Sequence, residues 1–179
     1  MAIETEKKYR LTEEQKQFVT NSLKEIGADF QGEDFEENLI YGGGILDEKP
    51  AVLRVRQTQD KTILTFKQSI ENEFNVKQRT EYETEVAVAD ELKRIINSLG
   101  FELRLVYEKR RKTWRFRTVE IVLDELPFGD FMEIEGSITA IAEAEIFLGI
   151  EDYETEHDTY PQLTAKFGAR SENLIEARF

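Results

Sequence analysis

The chain has 179 residues, no cysteine, one histidine and a formal net charge of −13 from 24 basic and 37 acidic side chains. Without cysteine there are no disulfides, thiolate metal sites or thiol nucleophiles, and the lone His157 excludes a histidine-built metal centre. The acidic balance argues against a general nucleic-acid or anionic-membrane binder, no stretch approaches the ~20 apolar residues that span a bilayer, and the first residues lack the regions of a signal peptide, so one cytoplasmic domain over residues 1–179 is expected.

Residues alternate strictly from Ile3 to Arg10, which predicts a strand with Glu4, Glu6, Lys8 and Arg10 on one face. Thr12 and Gln15 form a capping-box pattern, and the stripe Phe18, Val19, Leu23 and Ile26 predicts a helix that Gly27 stops. Further strands are expected at Phe35 to Tyr41, Val52 to Thr58, Thr62 to Gln68 and Lys77 to Val88, with a turn or flexible loop at Gly42-Gly43-Gly44. Asp90 should open a short helix that Gly100 closes. Two hairpin-like strands, Leu103 to Arg111 and Thr113 to Arg117, lead on to Val119 to Asp124, and Phe131 to Glu135 is the last clear strand. Ser137 caps a helix through Leu148, and a final helix is expected between Tyr160 and Phe167. No linker, low-complexity tract or repeat interrupts the chain, and about eight strands with helices at crossovers and the C-terminus predict an α+β fold: a closed eight-stranded antiparallel barrel.

A charged alternation in any one strand is ordinarily a solvated outer face. Here nearly every strand carries one, beside apolar neighbours such as Leu53, Val55, Leu64 and Phe66. If the apolar faces pack outward against the helices, the charged faces line a tunnel. Its acids would be Glu4, Glu6, Glu81, Glu83, Asp124, Glu133 and Glu135, and its bases Lys8, Arg54, Arg56, Lys67, Arg79, Lys109 and Arg111. Buried charges need partners or ligands. Carboxylates suit a hard divalent cation, and Arg and Lys suit phosphate oxygens, so the pattern points to a metal-bound polyphosphate. His157 in its acidic loop, Trp114 and the phenylalanines read as ordinary loop and packing residues, and Glu143 and Glu145 as solubilising surface.

In order along the chain, Glu4-x-Glu6-x-Lys8, Arg54-x-Arg56, Thr65-x-Lys67, Arg79-x-Glu81-x-Glu83, Lys109-x-Arg111 and the run from Leu123-Asp124 through Pro127 and Gly129 to Glu133-Ile134-Glu135 resemble the CYTH, or triphosphate tunnel metalloenzyme, family. So does Thr159-Tyr160 near the C-terminus. Tyr41 is followed by glycines where many such proteins carry an aspartate. The resemblance implies a divalent-metal-dependent triphosphatase of the cytoplasm, a monomer or homodimer acting on inorganic, thiamine or nucleoside triphosphate. The alternatives are a class IV adenylyl cyclase or a non-catalytic polyphosphate binder. It further implies one or two Mg²⁺ or Mn²⁺ ions on Glu4, Glu6, Glu83, Asp124, Glu133 and Glu135. Phosphate would be bound by Lys8, Arg54, Arg56, Lys67, Arg79, Lys109 and Arg111, of which Lys8, Lys109 and Arg111 are the expected catalytic set. Glu81 and Tyr160 would support these groups from behind.

Overall fold

The computed structural model describes residues 2–49, 51–70 and 77–179, apart from the side chains of residues 2–4 and 77. Eight of its strands are β1 (Ala2–Leu11), β2 (Asp29–Gly42), β3 (Ala51–Gln57), β4 (Thr62–Ile70), β5 (Lys77–Glu85), β6 (Glu102–Phe116), β7 (Val119–Leu126) and β8 (Gly129–Glu135). They pair in the order β2-β3-β4-β5-β1-β8-β7-β6, and β6 pairs back onto β2, so the antiparallel sheet closes into a ring around a tunnel. Closure leaves these strands few bare edges, the usual liability of a sheet.

The helices are α1 (Glu13–Glu25), α2 (Ile45–Glu48), α3 (Ala89–Ser98), α4 (Ile138–Leu148) and α5 (Tyr160–Phe167). The Thr12–Gln15 capping box forms as the sequence predicts, and Gly27 adopts φ +70°, a conformation a side chain would disfavour. A second capping box, Thr159–Gln162, opens α5. α1 and α4 bury Val19, Leu23, Ile141, Ala144 and Leu148 against Tyr9, Ile121, Leu123, Met132 and Ile134 on the outer wall. α3 sets Leu92 and Ile96 on Leu39, Tyr41, Val55 and Val106. Each fully buried aliphatic side chain contributes roughly 1.5–3 kcal/mol, so the apolar strand faces look outward because that is where the helices cover them. Among the described residues no helix is long and apolar enough to cross a membrane.

Several expectations need correction. The segment from Leu103 to Arg117 is not two hairpin strands but the single strand β6, which turns only at Arg117 and Thr118. β2 starts six residues before Phe35, at Asp29, and α3 begins at Ala89 with no side-chain cap from Asp90. Two strands were not anticipated: β9 (Ala169–Ser171) and β10 (Leu174–Ala177), the latter running parallel to β6 beside Leu105–Tyr107. Their three and four residues are too short for an alternation to show. Glu145 is not solvated surface. It is 9% exposed, accepts a hydrogen bond from Tyr9 Oη at 2.6 Å and pairs with Lys7, because β1 turns these two outward-facing residues beneath α4.

Candidate active site

Strand alternation and register place the charged faces inside. A cavity of about 440 Å³ runs within the ring, lined by Glu6, Lys8, Arg54, Arg56, Lys67, Arg79, Glu81, Glu83, Lys109, Arg111, Glu133 and Glu135, with Tyr160 at the α5 side. Asp124 lies directly behind them. Of the expected site residues only the Glu4 side chain lies outside the described residues; its backbone is opposite Arg79 in the β1–β5 ladder.

The densest part of this lining is an ion-pair cluster on β1, β6, β7 and β8. Arg111 places Nε and Nη2 on the two oxygens of Asp124 at 2.7 and 2.5 Å and reaches Glu133 at 2.8 Å. Lys109 Nζ lies 3.4 Å from Asp124 and 3.3 Å from Glu36. Lys8 Nζ is 3.2 Å from Glu133, donates to the Asp158 carbonyl at 3.3 Å and sits 3.6 Å from the centre of the Tyr160 ring, a cation–π contact. Burial, joined by repulsion from Arg111, pushes the Lys109 ammonium down to about 8 against the pull of Asp124 and Glu36. Burial alone would raise the Glu133 carboxyl, but Lys8, Arg111 and Lys109 hold it well below the usual carboxylate range. The Tyr160 phenol is pushed well up by burial and by Asp124.

The β3 wall is different. Arg54 bonds Thr65 at 3.2 Å, and its carboxylate partner Glu83 is 3.9 Å away and partly exposed. Arg56 has Glu36 at 3.5 Å, a carboxylate it shares with Lys109. The buried Nε atoms of both arginines make no hydrogen bond. Lys67 pairs with Glu81 at 3.2 Å, and Arg79 with Glu6. Positive charge is therefore less compensated on β3 than around Asp124.

Glu36 and Asn38 of β2 went unread in the sequence. Glu36 is 3% exposed, and although burial would raise its carboxyl, Lys109, Arg111, Arg56 and Arg54 lower it. Asn38 donates to Glu36 at 3.3 Å while its Oδ1 has no partner. The signal was present: Asp34-x-Glu36-x-Asn38 carries the β2 alternation, and register sets Glu36 opposite Lys109. Glu120, also unanticipated, lines the tunnel beside Glu135.

Whether these residues suit a divalent cation can be judged from donor type and register. Glu6, Glu135 and Glu120 are successive cross-strand partners on β1, β8 and β7, and like charges so placed repel unless a cation lies among them. Oxygen donors of this kind fit Mg²⁺ or Mn²⁺. Among the described residues no three such side chains yet converge on one point, and Glu6 is turned to Arg79. Asp124 is committed to Arg111, Lys109 and Tyr160, so an ion there would have to displace one of those donors.

A family model described as the CYTH domain matches residues 2–162. Among solved structures, the PH1012 protein from Pyrococcus horikoshii OT3 is similar at 25% identity and TM-score 0.78, over 89% of this chain and 98% of that one. A putative adenylate cyclase from Vibrio parahaemolyticus is similar at 20% identity and TM-score 0.70, over 91% of this chain and 98% of that one. HpAC1 from Hippeastrum, a putative adenylyl cyclase described as having a dominant triphosphatase activity, is similar at 18% identity and TM-score 0.70, over 93% and 96% of the two chains. The last two likenesses speak for the fold alone. No curated protein matches the sequence.

Proposed function

Because the chain belongs to the CYTH domain family, whose members are typically triphosphatases or cyclases, we propose that it is a divalent-metal-dependent phosphohydrolase that removes the terminal phosphate of a triphosphate held in the tunnel. The observation that carries this reading is the uneven neutralisation of the lining: Arg54 and Arg56 line the cavity with only long or shared carboxylate contacts, at 3.9 and 3.5 Å, while Arg111 is held by Asp124 and Glu133 at 2.8 Å or less.

In this scheme Arg54, Arg56, Lys67 and Arg79 grip and align the phosphate chain, with each guanidinium able to fork onto two oxygens. Lys8 and Lys109 face the charge that builds up as water attacks the terminal phosphorus in line with the departing oxygen. Arg111, fixed by Asp124 and Glu133, holds the strands that carry them at a set separation. Tyr160 orients Lys8 through its ring. Catalysis of this kind is mostly positioning and electrostatic stabilisation. Glu6, Glu133 and Glu135, with Glu4 and Glu120, would hold Mg²⁺ or Mn²⁺, which when bound neutralises phosphate oxygens and acidifies a neighbouring water. Hydrolysis needs only this grip, whereas cyclisation also needs a site that reads adenine and presents a ribose hydroxyl.

Incubating the protein with Mg²⁺ or Mn²⁺ and tripolyphosphate, thiamine triphosphate or ATP, with detection of phosphate and cyclic AMP, tests the proposal. Orthophosphate without cyclic AMP is expected. Cyclic AMP as the main product makes the protein a cyclase, and tight binding without turnover makes it a polyphosphate binder; either outcome overturns the reading.

A further inference from the structure

A second cavity, of about 490 Å³, lies outside the ring, between α1 and the outer faces of β2, β6 and β7. Its size falls in the range of small-molecule sites. Lys16, Thr20 and Lys24 recur every four residues on α1 and form one wall. The floor is Trp114, Phe30 and Leu123. β6 sends Lys109 and Arg111 into the tunnel and so, by alternation, turns Trp114 to the opposite face.

Two features of this groove are unfinished. Trp114 is 8% exposed, and its indole nitrogen, which has no hydrogen-bond partner among the described residues, keeps solvent contact. Most of the cations at the rim are tied to carboxylates: Lys16 to Asp130 at 2.7 Å, Arg110 to Glu125 at 2.9 Å and Lys112 to Glu33 at 3.8 Å. The Lys24 ammonium has no ion pair among the described residues. Phe30, tilted on Trp114 at 5.1 Å between ring centres, is 52% exposed and leaves ring surface open at the entrance. An exposed phenyl ring, a solvent-reaching N–H donor and an unpaired ammonium are complementary to a flat ring bearing an anionic acceptor.

We propose that this groove is a second binding site, separate from the tunnel, for a small planar aromatic acid whose ring packs on Phe30 beside the edge of Trp114 and whose carboxylate meets Lys24. The site stands whether or not the tunnel hydrolyses triphosphates, because it shares no anion-gripping side chain with it.

Trp114 is the one tryptophan of the chain, so the uniformly ¹⁵N-labelled protein gives a single indole cross-peak that reports on this groove. Titration with 2-naphthoate should move that peak saturably, and the uncharged 2-naphthalenemethanol should bind about fivefold more weakly or worse. Lys24→Gln should weaken 2-naphthoate by a similar factor, and Lys24→Arg should restore it. Excess tripolyphosphate should leave the titration unchanged. A peak that does not saturate, equal affinity in Lys24→Gln, or displacement by tripolyphosphate would each overturn the proposal. So would an indole peak that shifts on dilution of the protein alone, which would mark a second copy of the chain as the occupant.

Discussion

Tyr160, in the first turn of α5, donates its phenolic hydrogen to Asp124 Oδ2 at 2.7 Å, the same carboxylate oxygen that Arg111 holds at 2.5 Å. The C-terminal helix is thereby fastened to the ion-pair cluster at the heart of the barrel. Its ring meanwhile packs edge-on against Phe131 at 5.5 Å and roofs Lys8. The ion-pair cluster and the proposed phosphate grip meet at this one side chain.

Removing the charge of Asp124 should therefore be costly. Its side chain is 0% exposed and it balances two cations, so Asp124→Asn should lower stability by about 3–5 kcal/mol, the usual result of breaking one member of a buried pair. Tyr160→Phe keeps the ring and loses only a charge-assisted hydrogen bond, for about 1.5–3 kcal/mol. Urea unfolding of the two variants checks both; an Asp124→Asn loss below that of Tyr160→Phe contradicts the counter-ion role.

Lys109 gives the tunnel a pH dependence. Its ammonium titrates at about 8, below the ordinary lysine value, so a positive charge facing the substrate is lost as pH rises through that point. The kcat/KM for tripolyphosphate should fall above about pH 8 in the wild type. In Lys109→Arg, which stays charged, that fall should be absent. The sign for stability is opposite: between about 8 and the unfolded lysine value the unfolded chain binds more protons, so Lys109 itself makes the fold gain stability as pH rises across this window.

The contrast between β3 and β6 predicts different phenotypes. Arg56→Ala should raise KM for tripolyphosphate by about tenfold or more and cost less stability than Arg111→Ala, because its carboxylate Glu36 keeps Lys109 as a partner. Arg111→Ala should unfold the protein at lower denaturant, since it strands Asp124 and Glu133 without their principal partner. Steady-state kinetics and unfolding curves on the same pair of variants separate the two roles, and equal loss of stability in both would contradict the assignment.

Gly168 lies where α5 hands over to β9. A β-carbon there would sit 2.7 Å from the Thr164 carbonyl oxygen and 2.9 Å from that of Glu176, both backbone atoms that cannot swing away. Gly168→Ala should cost about 1–3 kcal/mol, the range for overpacking, seen as a lower melting temperature. An unchanged melting temperature would show that the β9–β10 hairpin is not held against α5.

The period-two alternation of Glu4-x-Glu6-x-Lys8, Arg54-x-Arg56, Lys109-x-Arg111 and Glu133-x-Glu135 was enough to place the ring and its lining, because each strand is long enough for the pattern to declare which face is charged. Glu36 and Asn38 lie within the strand expected from Phe35 to Tyr41 but escaped because Glu36-Glu37-Asn38 puts polar side chains on both faces, so the period there does not declare which face turns inward. The strand's length is imposed by pairing with β6, not by its own composition. Glu145 escaped for a related reason: a helix rich in alanine and isoleucine gives no sign that one of its acids will be drawn under by Lys7 and Tyr9 from a distant strand. Pairings between remote segments are what local periodicity does not carry.

β1 lies between β5 and β8 in the ring. During synthesis on the ribosome it can gain its first strand neighbour only once β5 has emerged, and its second only after residue 135, so until then the nascent chain must carry a half-built sheet with charged inner face and bare strand edges. Cellular yield should therefore respond to chaperone supply more sharply than the finished protein's equilibrium stability would suggest.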